Sequence, residues 1–75
     1  MEIKYDASID ALYIGLHAGK YDVTKKITDA ILVDVAKDGK VLGIEILDAS
    51  ENIAKFDPET IHLTLQRVNI PHRHA

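Results

Sequence analysis

The chain has 75 residues, of which 47% are hydrophobic and 28% charged, and its formal net charge is −3. This length allows one domain, and the composition is typical of globular proteins and unlike that of disordered ones. Because the sequence contains no cysteine, it excludes a disulfide framework, a thiolate metal site and a cysteine nucleophile.

The sequence also bears on location and partners. No apolar run approaches the roughly 20 residues that cross a bilayer, so we expect no membrane association. The start "MEIKYD" lacks the basic-then-apolar order of a signal peptide, which favours the cytoplasm. Positive residues cluster at 20–26 and, with two histidines, at 67–74, and both clusters are small, which argues against nucleic acid as a partner. A domain this small buries little of its surface, so we expect a homo-oligomer.

The first two β-type runs are "EIKY" and "ALYIGL", separated by the turn-forming residues "DASID". A loop at Asp6–Ile9 would place Ile3 opposite Leu12. Leu12 and Ile14 then share one face of the sheet, and Tyr13 lies on the other. The third run, "YDVTKKI", carries Lys25 among apolar residues, a pattern typical of an edge strand.

The clearest signal is a hairpin in "AILVDVAKDGKVLGIEIL", where Asp38-Gly39 favours a two-residue type I′ turn. That turn predicts aliphatic pairs on one face: Val35 with Leu42, Val33 with Ile44, and Ile31 with Ile46. On the opposite face Asp34 meets Gly43 and Leu32 meets Glu45, beside Val41 and Leu47. A slip of one residue would exchange the two faces, so the pattern specifies the register. The opposite face is half apolar, which predicts cover by a helix, a tail or a second subunit.

After Leu47 the periodicity changes from that of a strand to that of a helix. Asp48 stands three residues before Glu51, a capping-box spacing, and Ile53 and Phe56 fit one face of a short helix. "TIHLTLQRV" alternates like a last strand, with a helix from Asp57 through residue 68 as the alternative. We therefore predict an α+β fold: an antiparallel meander of four to five strands, one short helix after Leu47 and a C-terminal strand. Residues 1–68 form the domain and 69–75 a tail.

Two motifs in the chain resemble a family of short prokaryotic proteins, domain of unknown function 2283. The motifs are "YDASIDALYIGL" and "DGKVLGIEILDAS", at 5–16 and 38–50. The resemblance implies no established activity. Some relatives are thought to be encoded beside small toxin-like proteins, so it implies an antitoxin-like role as one expectation.

Five residues are candidates for binding a partner or ligand: Tyr13, Asp34, Gly43, Glu45 and Asp48. Carboxylates on one face suit Mg²⁺ or Ca²⁺, or a division of acid and base roles, and Gly43 leaves room for a ligand. Tyrosine is favoured in interfaces. The structural alternative is that Asp34 and Glu45 pair with lysines or bond the backbone, and that Asp48 caps the helix. His72 and His74 are too few for a structural zinc site, and we predict no catalytic residue, no metal and no cofactor.

The sequence therefore favours a non-catalytic interaction module that self-associates or binds a small protein partner, such as a toxin-like protein. The alternative is a metal-dependent or acid/base enzyme that uses the surface carboxylates Asp34, Glu45 and Asp48.

Overall fold

The structure is a computed structural model that describes residues 1–20 and 23–69. It contains five strands, β1 (Glu2–Asp6), β2 (Ala11–Gly15), β3 (Val23–Lys26), β4 (Ile31–Val35) and β5 (Val41–Ile46). They are followed by one turn of α-helix, α1 (Ala49–Asn52), and a short 3₁₀ helix (Pro58–Thr60). Within the described ranges, neither helix is long or apolar enough to span a membrane.

The strands form one antiparallel sheet in the order β1-β2-β5-β4-β3. The predicted antiparallel strands and short helix are confirmed and are consistent with a meander, although the strand order is not strictly sequential, because β5 lies between β2 and β4. Burial accounts for this order. Ala11, Leu12, Leu42 and Gly43 are buried and lie on β2 and β5, whereas every residue of β3 is exposed. The two strands that bury most therefore lie next to each other, and the lysine-bearing strand β3 is at an edge, as predicted.

The first hairpin differs from its predicted register. Its loop is Ala7–Asp10, so Ile3 faces Ile14 and not Leu12, and Tyr5 faces Leu12. The Asp6 carboxylate accepts hydrogen bonds from the amide and the hydroxyl of Ser8, at 3.0 and 2.6 Å. This Asx-type contact begins the loop one residue later than predicted. The faces are unchanged because the register moves by two residues.

The hairpin of β4 and β5 differs from its predicted register in two ways, and their effects on the register cancel. The turn has three residues, because the Ala36 and Lys40 backbones pair and Gly39, with φ 88°, donates to the Ala36 carbonyl. The β5 strand then takes up one extra residue, a bulge at Leu42, between the pairs Val35–Val41 and Asp34–Gly43. The predicted pairs of Val33 with Ile44 and Ile31 with Ile46 are therefore confirmed. The pair of Val35 with Leu42 is wrong.

The pairing register sorts the strand residues onto two faces. The first we call the apolar face: Ile3, Tyr5, Leu12, Ile14, Val23, Ile31, Val33, Val35, Val41, Ile44 and Ile46, with Lys25 at the β3 edge. The second we call the mixed face: Glu2, Lys4, Tyr13, Gly15, Thr24, Lys26, Leu32, Asp34, Gly43 and Glu45. The bulge moves Val41 to the apolar face, contrary to the predicted arrangement.

After β5 the chain returns to the apolar face, where the rings of Tyr5 and Phe56 lie 5.2 Å apart. Residues 61–69 belong to no helix or strand, and each of them is exposed. The predicted C-terminal strand is therefore wrong, and so is the helical alternative. The alternating pattern is present, but no strand pairs with it. Of the predicted tail, residues 70–75 lie outside the described residues.

The core is small. Among the described residues the buried apolar side chains are Ala11, Leu12, Val35, Leu42 and Ala49. The chain exposes 6535 Å², whereas a compact monomer of 8.3 kDa exposes about 4,600 Å². The half-exposed apolar face and the exposed segment 61–69 both contribute to this excess.

Candidate functional site

Tyr13 lies on the mixed face, as the sequence predicts. It pairs across the strands with Glu45, and its ring lies over the glycine pair Gly15–Gly43. A Cβ built on Gly43 would lie 2.7 Å from Tyr13 Cζ, and one on Gly15 would lie 3.2 Å from Tyr13 Cε2. An aromatic ring above strand glycines compensates for their missing side chains. The space at Gly43 that was expected to admit a ligand is therefore filled by Tyr13.

Asp34 and Glu45 lie on the mixed face as a diagonal pair, since Asp34 faces Gly43 and Glu45 faces Leu32. Asp34 accepts a hydrogen bond from the Thr24 hydroxyl at 2.8 Å. The ion pairs found in the described part of the chain are Lys4–Glu2, Lys26–Asp29 and Lys40–Asp38. The expected alternative of lysine pairing for Asp34 and Glu45 is therefore wrong, and a neighbouring threonine binds Asp34 instead.

Two open grooves flank Tyr13. The larger, of about 510 Å³, is lined by Tyr13, Asp34 and Leu42 together with Glu2, Gly15 and His17. The smaller, of about 240 Å³, is lined by Lys4, Asp6, Ile9, Ala11, Tyr13 and Glu45. Asp34 and Glu45 thus lie on opposite sides of the Tyr13 ring. Three of the other four candidate residues, Asp34, Gly43 and Glu45, gather around this ring, and Asp48 lines neither groove.

Asp48 precedes α1 in a left-handed conformation, with φ 48° and ψ 51°, and its side chain makes no capping hydrogen bond. The predicted capping role falls instead to Asp10. Its carboxylate accepts from the Ser50 amide at 3.2 Å and the Ser50 hydroxyl at 2.6 Å, and its carbonyl accepts from the Ala49 amide at 2.8 Å. A residue 40 positions earlier therefore performs the N-terminal capping of this helical turn.

Asp10 also accepts a 2.7 Å hydrogen bond from the Tyr5 hydroxyl, so one carboxylate joins β1 to α1. Hydrogen bonds from Ser50 and Tyr5 hold the pKa of the Asp10 carboxyl below its ordinary value. The bond to Asp10 raises the pKa of the Tyr5 hydroxyl. Sequence reasoning did not assign this cluster of Tyr5, Asp10 and Ser50. The available signal was that all three belong to the two motifs that carry the family resemblance.

The carboxylates on the mixed face do not assemble into a recognisable metal centre. In residues 1–20 and 23–69, no three histidine, aspartate or glutamate side chains come together as a set that would hold an ion. His72 and His74, considered above as weak metal ligands, lie outside the described residues.

Comparison with known proteins gives one match. The sequence model of the family described as "Protein of unknown function (DUF2283)" matches residues 2–50, about two thirds of the chain. The match begins with β1 and ends at Ser50, so it includes the whole sheet and the Tyr5–Asp10–Ser50 cluster. No curated protein and no solved structure matches the chain.

Proposed function

The chain belongs to the DUF2283 family, and we propose that it is a non-catalytic interaction module that self-associates through its apolar face. The proposal rests on the incomplete burial of this face. Ile3, Ile14, Ile31, Val33, Ile44 and Ile46 are only half-buried. A sheet with one strongly apolar face needs a second layer to cover it. The Phe56 ring packs against Tyr5 on this face.

A second copy fits this face better than a charged partner does. Among its strand residues the face carries one charge, Lys25, and that residue lies at the β3 edge. Two copies stacked face to face would bury aliphatic side chains against one another at a sheet spacing of about 10 Å.

The mixed face is the other surface on which a partner was expected from the sequence. Its centre is occupied by Tyr13 above the glycines, and Asp34 is already bound by Thr24. Burying the charges of Glu2, Lys4, Lys26, Asp34 and Glu45 would require a partner that pairs each of them, because unpaired buried charges are costly. The apolar face carries no such requirement, which favours it as the surface of self-association.

Light scattering during size-exclusion chromatography tests the proposal. We expect the wild-type chain to run as a dimer and Ile44→Lys to run as a monomer. Glu45→Lys is the matched control, because it adds a lysine at the next residue on the mixed face and should remain dimeric. Ile27→Glu is a second variant that should also run as a monomer. Ile27 pairs with Ile31 beside the apolar face and is 61% exposed, so its replacement costs a monomer little. A wild-type monomer at micromolar concentration would contradict the proposal.

The same experiment shows whether the apolar face or the mixed face is the interface, and whether the partner is a second copy or a different protein. If Glu45→Lys dissociates the dimer and Ile44→Lys does not, the mixed face is the interface. If the wild-type chain is monomeric alone but elutes with a second small protein from its host, the partner is heterologous, as the antitoxin-like expectation requires. Both outcomes would overturn self-association through the apolar face.

A further inference from the structure

Residues 61–69, which we call the C-terminal arm, carry an apolar alternation that has no partner within the described chain. Ile61, Leu63 and Leu65 are 40, 63 and 92% exposed, and Val68 is 58% exposed. Alternate apolar residues over five positions are the pattern of a strand with one buried side. The arm therefore has the sequence pattern of a strand but pairs with no strand in the described part of the chain.

The sheet offers two edges, β1 and β3, and their charges differ. The β3 edge carries Lys25 and Lys26, whereas β1 carries two acids, Glu2 and Asp6, and one lysine, Lys4. The arm contains Arg67 and His62 and no acidic residue. Lysines on an edge oppose the addition of another strand, and they would repel this arm most. Charge complementarity therefore selects the β1 edge.

The apolar face has a small footprint, so further contacts would strengthen a dimer. Five strands about 4.8 Å apart and about five residues long cover on the order of 400 Å² per copy. A standard interface buries about 800 Å² per partner. The arm supplies further apolar area, and its position allows it to reach a neighbour. It follows Phe56, which lies against Tyr5 of β1, and nine extended residues span about 30 Å, three times the spacing of stacked sheets.

We propose that the arm of one copy adds as a sixth strand to the β1 edge of a second copy. Ile61, Leu63 and Leu65 then extend the apolar face of the neighbour, and His62, Thr64 and Gln66 point to its mixed side. This is recognition by strand addition, in which main-chain hydrogen bonds hold the segment and alternate side chains fit it. The inference rests on the proposed self-association and adds the element that exchanges between copies.

Cross-linking tests the exchange directly, because the chain contains no cysteine of its own. Two full-length pools are prepared, an isotope-labelled Lys4→Cys variant and an unlabelled Thr64→Cys variant, then mixed and treated with a short bismaleimide. Both positions are exposed and would share one side of the extended sheet. We expect a heavy–light covalent dimer joined between positions 4 and 64. Thr24→Cys, on the mixed side of the β3 edge, replaces Lys4→Cys in the control and should give no such product.

A second measurement follows affinity in chains that keep their full length. Leu65→Glu should raise the dimer Kd by about tenfold or more, because it places a charge on the buried side of the added strand. Gln66→Glu adds the same charge on the other side and should change the Kd much less.

The possible results separate the two proposals. A dimer that gives no 4–64 product, or gives a 24–64 product instead, would overturn the exchange and leave self-association intact. The same holds if the Lys4→Cys/Thr64→Cys double variant cross-links within one chain, because the arm would then belong to its own β1. A monomer by light scattering would overturn both proposals.

Discussion

The Asp10 carboxylate receives hydrogen bonds from three side-chain and backbone groups, and the residue connects parts of the chain that are distant in sequence. Tyr5 donates to it from β1, and Ser50 donates from α1 through both its amide and its hydroxyl. Its own backbone is in the left-handed region, with φ 51°, which aspartate tolerates better than most residues. The motif residues of the family thus have a structural role in this chain, because they attach the helical turn to the first hairpin.

The Asp10 cluster predicts a specific pH dependence of stability. The pKa of Asp10 is lowered from 3.8, so its contribution is complete above pH 3.8 and is lost as the pH falls through the lower, folded-state value. The pKa of Tyr5 is raised from 10.0, so its contribution is complete below pH 10.0 and is lost as the pH rises through the higher, folded-state value. In urea unfolding between about pH 2 and 5, we expect Asp10→Asn to be less stable at pH 5 and to lose less stability on acidification. Equal slopes for wild type and Asp10→Asn would contradict this account.

The contact between Tyr13 and Gly43 predicts a large effect from one methyl group. Gly43→Ala should reduce the free energy of unfolding by about 1–3 kcal/mol, since the new Cβ forces the Tyr13 ring aside. Gly19→Ala is the control, because its Cβ would lie 3.4 Å from Leu42 Cδ2 in ordinary contact, and its effect should stay within about 0.5 kcal/mol. Urea unfolding of Gly43→Ala with and without Tyr13→Ala measures the coupling. Additive effects would mean that the ring does not cause the loss.

At the scale of elements, the sequence predicted the strands well because each carries a local pattern. The pairs Val33–Ile44 and Leu32–Glu45 follow from alternation and a turn signal alone. The bulge at Leu42 was not predictable, because it depends on the rest of the sheet. The Leu42 carbonyl accepts from the amides of Leu16 and His17, at 2.8 and 3.2 Å, which belong to the chain after β2. The sequence of the hairpin alone does not predict that contact.

The three-residue turn makes Gly39 the residue that carries its positive φ, at 88°. We expect Gly39→Ala to reduce the free energy of unfolding by about 1–2 kcal/mol, because alanine is strained in this conformation. Gly39→Asn should recover much of the loss, since asparagine adopts left-handed conformations more readily. Urea unfolding of the two variants checks both expectations. A Gly39→Asn variant as unstable as Gly39→Ala would point to a cause other than backbone strain.

At the scale of the whole molecule, sequence reasoning identified the fold class but not the strand order or the fate of the C-terminal residues. Local patterns do not say which strands become neighbours, and β5 enters between β2 and β4 because the two most buried strands pack together. The alternation in residues 61–69 was real, but a strand also needs a partner edge. The sequence pattern predicted that Tyr13, Asp34, Gly43 and Glu45 share one face, as the register shows, whereas the Asp10 cluster depends on contacts across 40 residues.

Self-association predicts that thermal stability depends on protein concentration. Because dimer formation stabilises only the folded chain, the Tm of the wild type should rise as concentration is increased, as mass action requires. The Tm of Ile44→Lys should not change over the same range, and that of Glu45→Lys should follow the wild type. Scanning calorimetry or circular dichroism at several concentrations measures this. A wild-type Tm that is constant across a hundredfold range would argue for a monomer.

The hydrogen bonds that Ser50 donates to Asp10 bear on which part of the chain the sheet needs in order to fold. These bonds lie at the end of the family match. Phe56 still packs against Tyr5 downstream of it, whereas residues 61–69 are all exposed. Replacing residues 61–69 by another sequence should therefore leave the sheet folded while changing which molecules it binds.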